Sequence, residues 1–153
     1  MNLIKFNSPH GIISIAGQGG VITRVYLPNQ EPDLPESPSI YLDKARSQLE
    51  EYFAGNRVIF DLRVSFENCT DFAARVYHEI LSIKYGQTAS YKDIAARIGA
   101  PGAYRAVGLA NNKNNLPIII PCHRIIGADG GLVGYAGGLE MKRRLLDLEK
   151  GAV

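Results

Sequence analysis

The run Leu116-Pro117-Ile118-Ile119-Ile120-Pro121-Cys122-His123-Arg124-Ile125-Ile126-Gly127 sets a thiol, an imidazole and a guanidinium side by side. The two prolines bar a regular helix, so three β-branched isoleucines predict a stiff, extended, buried segment ending at Cys122. A thiolate there would be favoured by adjacent positive charge or by a helix N-terminus, and the thiolate is the nucleophilic form. A buried structural cysteine is the commoner fate, and spacing alone does not choose between the two. His123 is the natural base. Neighbouring side chains of an extended chain point apart, however, so proton transfer would need a turn or a bridging water. Glu149 is a candidate to orient the imidazole. The bland alternatives are a satisfied semi-buried histidine and a solvated glutamate at a helix end.

Asn111-Asn112-Lys113-Asn114-Asn115 precedes this segment. Asparagine tolerates left-handed backbone and bonds nearby main chain, so the run reads either as a braced turn beside the cysteine or as a polar loop. Arg105-Ala106-Val107-Gly108-Leu109-Ala110 offers small residues at alternate positions. They permit close approach to a narrow groove, with Arg105 able to enter a base stack, or they pack on another helix. Gly134-Tyr135-Ala136-Gly137-Gly138 lacks the form of a phosphate loop and reads as a close-packed loop with Tyr135 lining a pocket. The histidines are His10, His78 and His123, and no His/Cys set has zinc spacing, so no metal site is expected.

These residues need elements to hold them. Leu3–Phe6, Gly11–Ala16 and Val21–Tyr26 predict a small antiparallel sheet, with glycines and Pro9 at the turns. Four prolines from Pro28 to Pro38 mark a loop. Leu42, Ala45, Leu49 and Phe53 recur at helical spacing before Gly55, and Val58-Ile59-Phe60 looks like a further strand. Thr70 can cap a helix with the stripe Phe72, Val76, Ile80 and Ile83, ended by Gly86. Ser90 and Asp93 form a capping box for a helix facing inward through Ile94, Ala95 and Ile98. A turn at Gly99–Gly102 and a helix from Ala103 to about Asn112 complete a helix-turn-helix pattern. A last helix, Leu139–Glu149, buries Leu145, Leu146 and Leu148. The fold class is α+β, with a boundary near residues 65–69 that gives domains 1–67 and 68–153.

Charge divides along the same line. Residues 1–83 hold 7 Lys/Arg against 10 Asp/Glu, whereas 84–153 hold 10 against 5. A basic C-terminal half suits a polyanionic partner, although solvated basic helix faces give the same count. No apolar run is long enough for a membrane span and the N-terminus opens no signal peptide, so no membrane partner is expected. Two cysteines without C-x-x-C spacing fit a reducing cytoplasm.

Pro121-Cys122-His123-Arg124-Ile125-Ile126 resembles the active-site signature of the O6-alkylguanine-DNA alkyltransferases. Ser90–Ala95, Arg105–Gly108, Ile118–Pro121, Gly134–Gly138 and Lys142 with Leu145, Leu146 and Glu149 fall in that family's order and spacing, so the resemblance is strong over about 70–150 and weak before it. It implies a small RNase H-like N-terminal domain and a C-terminal helical domain with a winged-helix-like helix-turn-helix. It also implies irreversible, stoichiometric transfer of an alkyl group from O6-alkylguanine in double-stranded DNA to Cys122 after base flipping. O4-alkylthymine is a second candidate lesion, no cofactor is needed, and the protein is a monomer. By resemblance, Cys122 is the acceptor, His123 reaches it through a water, Glu149 orients His123, and Asn114 braces the turn. Tyr91 lies near the flipped nucleotide's phosphate and guanine N3, and Arg105 fills the vacated stack beside Ala106 and Gly108. Tyr135 and Ala136 form the loop over the guanine, the Cys122 and Ile125 carbonyls accept its amine, and Arg124 is structural.

The sequence departs from the pattern in places. Ile83-Lys84-Tyr85-Gly86 stands for an Ile-Pro-aromatic-Gly, Lys113-Asn114-Asn115 for a Gly-Asn-Pro, and Ala136 for a serine, which shifts O6 hydrogen bonding to backbone N–H groups. The family's sensor-like relatives lack the acceptor cysteine, which Cys122 supplies here. Two other classes stay in play on the residues alone: a helix-turn-helix binding module, and a cysteine hydrolase with repeated turnover.

Overall fold

A computed structural model describes residues 1–66 and 69–151. The chain forms two compact units, Met1–Glu67 and Asn68–Val153. The expected boundary at residues 67 and 68 lies outside the described residues.

In the first unit, β1 (Asn2–Ser8), β2 (Gly11–Gln18) and β3 (Val21–Tyr26) form an antiparallel meander in sequence order. The β2–β3 turn places Gly19 at φ +60° and Gly20 at φ +84°. Positive φ at both central residues suits the twist of a tight hairpin, and glycine adopts it without steric cost. Helix α1 (Ile40–Phe53) buries Leu42, Ala45, Leu49 and Tyr52 in a core shared with Leu3, Ile13, Ile15, Ile22 and Val25 of the sheet. Both sheet edges are covered. Leu3 exchanges two backbone hydrogen bonds with Ser37 (3.0 and 2.8 Å), and Ile22 bonds Arg63 O (2.8 Å) and Ser65 N (3.0 Å).

The strand expected at Val58-Ile59-Phe60 does not form. Val58 is 53% and Ile59 75% exposed. Gln48 holds Asp61 through both its backbone groups (3.1 and 2.9 Å), so the chain reaches the β3 edge only at residues 63–65. The β-branched residues point outward from the bend before it.

In the second unit, α2 (Asp71–Leu81) starts at Thr70, whose hydroxyl accepts from Ala73 N at 3.1 Å. Its inward stripe is Ala73, Val76, Tyr77 and Ile80, with Phe72 only half-buried, and the helix ends at Leu81 rather than at Gly86. Ser90 and Asp93 form the reciprocal box (3.0 and 2.9 Å) that starts α3 (Tyr91–Arg97). A six-residue turn leads to α4 (Tyr104–Asn112), and α2, α3 and α4 pack on one another. The buried Tyr77 hydroxyl donates to Ala110 O at 2.9 Å. Two short parallel strands, β4 (Ala89–Ser90) and β5 (Ile125–Ile126), tie the start of α3 to the segment after Cys122. Helix α5 (Leu139–Glu149) buries Met141, Lys142, Leu145, Leu146 and Glu149. Leu148 falls off that 3.6-residue stripe and is half-buried, against expectation.

The isoleucine run is buried as expected, with Ile118, Ile119 and Ile120 at most 7% exposed, but it is not extended. Ile120 N bonds Leu116 O at 2.8 Å, closing a turn in which Ile118 sits at φ +74°. Left-handed backbone at a β-branched residue costs roughly 1–3 kcal/mol and persists only when the surroundings over-determine it. Burial of three isoleucines and the Asn114 contacts described below supply that constraint.

The sheet's one register irregularity falls between Ala16 and Gly17. A Cβ on Gly17 would press on the Val21 carbonyl and lie 2.6 Å from the Tyr41 ring. Backbone cannot yield as a flexible side chain does, so Gly17→Ala is expected to destabilise the fold by roughly 1–3 kcal/mol, read as a lower urea midpoint. An unchanged midpoint would show that the bulge tolerates a methyl group.

Candidate active site

Asn114 follows α4 after Lys113 and is 9% exposed. Its Nδ2 donates to Ile120 O at 3.0 Å while its Oδ1 accepts from Leu116 N at 2.9 Å. One amide thus spans the turn, and the absence of the expected Gly-Asn-Pro leaves the brace intact. The chain then enters a 3₁₀ turn, Cys122–Arg124, so Cys122 begins a helical turn instead of ending a strand. Cys122 is 4% exposed. Burial pushes its thiol up to about 11, outweighing a hydrogen bond from Asn114 and the charge of Lys142, which both pull it down. The neighbouring positive charge expected to favour the thiolate is therefore present but does not win: desolvation does.

The 3₁₀ turn points His123 and Arg124 together at Glu149 on α5. His123 Nε2 lies 2.6 Å from Glu149 Oε2, and Arg124 grips the same carboxylate through Nε (2.7 Å) and Nη2 (3.0 Å). Gly86 N also donates to Glu149 Oε1 at 3.3 Å, and Arg124 Nη1 donates to Ile83 O at 2.7 Å. The Glu149 side chain is 1% exposed and that of His123 is 0% exposed. Arg124 already balances the carboxylate, so a second cation has no charge to answer. Burial holds the His123 pKa below its ordinary 6.5, and the Arg124 and Lys142 charges add to that against the pull of Glu149. With Nε2–H committed to Glu149, Nδ1 is the nitrogen whose lone pair can take a proton.

Tyr91 opens α3, and its hydroxyl donates to Val133 O at 3.2 Å. Burial and the nearby Cys122 raise the phenol pKa, while a hydrogen bond from Asn111 lowers it. Lys142 is fully buried on α5, and its Nζ donates to Val133 O (2.8 Å) and Gly134 O (3.2 Å). Burial pulls its pKa down to about 8. Beyond that latch, the Tyr135 hydroxyl is buried with no hydrogen-bond partner among the described residues, and burial raises its pKa well above 10.0. Ala136 is exposed. The Ile125 side chain is fully buried, and Ile125 N donates to Cys122 O.

Tyr91, Arg105 and Gly108 line one groove of about 510 Å³ with Tyr104, Leu109, Asn112, Val133 and Gly134. Arg105 is exposed at its edge, Gly108 lies against the Tyr91 ring, and Ala106 is exposed but outside the lining. Cys122 is not in that lining. The small residues of α4 therefore divide, with Ala110 packed inward and Ala106 and Gly108 on the outer side. Two residues of the site went unassigned in the sequence. Lys142 belongs to α5's inward stripe, where a lysine among leucines was the available signal. Asn111 sits one helical turn after Val107 on the buried face of α4. Among the described residues, no group of three or more His, Cys, Asp or Glu could hold a metal ion, and no helix is long and apolar enough to cross a membrane.

A histidine buried in its neutral form contributes stability that is complete above pH 6.5 and is lost as the pH falls through its depressed folded value. The urea midpoint of the protein is expected to drop below about pH 6.5. His123→Gln, which has nothing to protonate there, should lose that portion of the acid limb. Identical limbs in the two proteins would contradict the neutral assignment.

The family model described as 6-O-methylguanine DNA methyltransferase, DNA binding domain, matches residues 71–151. A methylated-DNA–protein-cysteine methyltransferase of Mycobacterium leprae is 47% identical over 153 residues, covering 95% of this chain and 90% of that protein. The constitutive methylated-DNA–protein-cysteine methyltransferase of Bacillus subtilis is 42% identical, covering 94% and 92%. The crystal structure of Mycobacterium tuberculosis OGT in complex with DNA superposes with a TM-score of 0.92 at 45% identity, covering 99% of this chain and 94% of that one. The α+β architecture and the sequence agree, and the chain belongs to the 6-O-methylguanine DNA methyltransferase family.

Proposed function

We propose that this protein repairs DNA by moving an alkyl group from guanine O6 to Cys122, once per molecule. The observation that carries this reading is a buried cysteine followed by a buried histidine locked to a buried glutamate (2.6 Å), in a chain of this family. The thiol proton passes to His123 Nδ1 through a water. The sulfur then attacks the alkyl carbon in line, forming the S–C bond as the C–O6 bond breaks. Tyr91 donates its proton toward N3, so the electron pair left on the purine is neutralised as it develops. The protonated His123 then gives up the thiol's proton to restore the Tyr91 hydroxyl, which leaves neutral guanine, neutral His123 and a thioether. A thioether has no carbonyl for water to attack, so the protein is spent. A cysteine hydrolase would instead turn over on an ester.

Reaching O6 requires extruding the nucleotide, at a cost of roughly a few kcal/mol. The groove along α4 is the surface offered to double-stranded DNA, and Arg105 at its edge enters the gap, with Ala106 and Gly108 allowing close approach. The loop carrying Tyr135 and Ala136 covers the base, and the Cys122 and Ile125 carbonyls accept its amine. In this reading residues 68–153 are a winged-helix-like helix-turn-helix domain that binds DNA and accepts the alkyl group. Residues 1–67 are an RNase H-like supporting domain, and the protein acts as a cytoplasmic monomer. O4-alkylthymine is the second lesion to test.

Incubation with O6-methylguanine duplex should add the mass of one methyl group, located at Cys122. Cys122→Ser should abolish that transfer yet bind the duplex as tightly as wild type; any methylation of the variant refutes the acceptor assignment. For Arg105→Ala, repair of duplex should slow by roughly tenfold or more while reaction with free O6-benzylguanine changes far less. Equal slowing on both substrates would remove Arg105 from the flipping step.

A further inference from the structure

Asn111 is 3% exposed on the inner face of α4, and its side-chain amide meets the turn that carries the cysteine. Its Nδ2 donates to Cys122 O at 3.4 Å. A carbonyl only accepts, so this contact fixes the amide with its N–H side on Cys122 and Oδ1 on the other side. That oxygen is buried and has no hydrogen-bond partner among the described residues. An unpaired buried acceptor costs stability that leucine would avoid in the same space, so Oδ1 calls for a donor from outside the chain. The neighbouring Cys122 carbonyl is already served twice, by Asn111 Nδ2 and by Ile125 N. Its two lone pairs are engaged, whereas those of Asn111 Oδ1 are open. Gly108, three residues earlier on α4, lies against the Tyr91 ring, and residues three apart are neighbours on a helix surface. Asn111 therefore stands between Tyr91 and Cys122.

We propose that Asn111 Oδ1 is a specificity-determining contact that accepts a hydrogen from the exocyclic amine of the extruded guanine. This rests on the reading of the site as the one that delivers O6-alkylguanine to Cys122. Alkylation at O6 strips the proton from N1, and N9 carries the sugar, so the amine holds the only N–H bonds left on the base. A lone acceptor facing that base can be met by the amine alone. The amine sits on the ring carbon next to N3, the atom assigned to Tyr91, so neighbouring parts of one site serve neighbouring atoms of one edge. Asn111 Oδ1 is the stronger acceptor beside the Cys122 carbonyl for the same hydrogen. O4-alkylthymine has no N–H bond at all and leaves Oδ1 unpaired when bound, so the contact favours the guanine lesion.

The test compares single-turnover methyl transfer to Cys122 from duplexes carrying O6-methylguanine or O6-methylhypoxanthine, which differ only in the amine. Wild type should react roughly tenfold or more faster with the first, as expected when a buried acceptor is left unpaired by the second. Equal rates would show that the amine is not read and overturn the proposal with wild-type protein alone. Asn111→Leu should slow transfer from O6-methylguanine by a similar factor and from O6-methylhypoxanthine far less. Dividing each variant rate by the wild-type rate on the same lesion cancels the intrinsic reactivity of the two bases. Parallel slowing on both lesions places the amine contact elsewhere and overturns the assignment. Asn111→Ser, too short to reach the amine, should lose the same preference; a preference as large as wild type's overturns the proposal even if the leucine variant does not fold. No methyl group on Cys122 from either lesion, read by intact mass, would instead remove the functional reading and this contact with it.

Discussion

The Glu149 carboxylate is the contact on which the site depends. It is out of water, and an isolated carboxylate there would be untenable. Three groups from two parts of the chain converge on it: the Arg124 guanidinium and His123 imidazole from one turn, and the Gly86 N–H. Burial, with the Arg124 charge adding to it, holds the His123 pKa below its ordinary value, and one ring nitrogen is fixed on the carboxylate. Chemistry and folding therefore share one ion pair. The guanidinium also bonds Ile83 O, so the carboxylate ties α5 to the chain after α2 as well as to the 3₁₀ turn.

The cysteine is presented by a second constraint, the compact turn before it. Asn114 bonds both sides of that turn, and Ile118 takes a left-handed conformation that only packing sustains. A straight strand would have aimed Cys122 and His123 in opposite directions. The turn and the 3₁₀ segment that follows are what let consecutive residues serve one site. The strain is thus local, confined to the segment whose geometry matters most, and offset by apolar burial on all three isoleucines.

The periodic elements were legible from the sequence because their signals are local. The three strands, the Thr70 and Ser90 caps and the inward face of α3 follow from alternation, helical spacing and short side-chain bonds to backbone. Val58-Ile59-Phe60 misled because β-branching expresses a preference, and the tertiary clamp of Gln48 on Asp61 overrides it. The isoleucine run misled similarly: its composition favours extension, while a hydrogen bond from Asn114 six residues away dictates a turn. Cys122, His123 and Glu149 were nameable through family resemblance, but the neutral state of His123 was not. It depends on burial, with the Arg124 charge adding to it, and no spacing rule conveys either. Lys142 and Asn111 were hidden for the same reason. A polar residue on a buried stripe shows that something must pair with it, yet its partners lie on other elements.

Burial of the thiol fits a protein proposed to act once. Its pKa of about 11 keeps the resting sulfur protonated near neutrality, and the thiol is a poor nucleophile. A permanently ionised, exposed thiolate would be consumed by any passing electrophile, with no second turnover to compensate. In the proposed mechanism the attacking form arises only when the proton has somewhere to go, namely the His123 ring, whose other nitrogen is bonded to Glu149. The loop at Val133 and Gly134, bound by Tyr91 and Lys142, lies over the same region. In the proposed mechanism an entering purine takes the Tyr91 proton from Val133 O, so the contact that admits the lesion is also the one that prepares its departure.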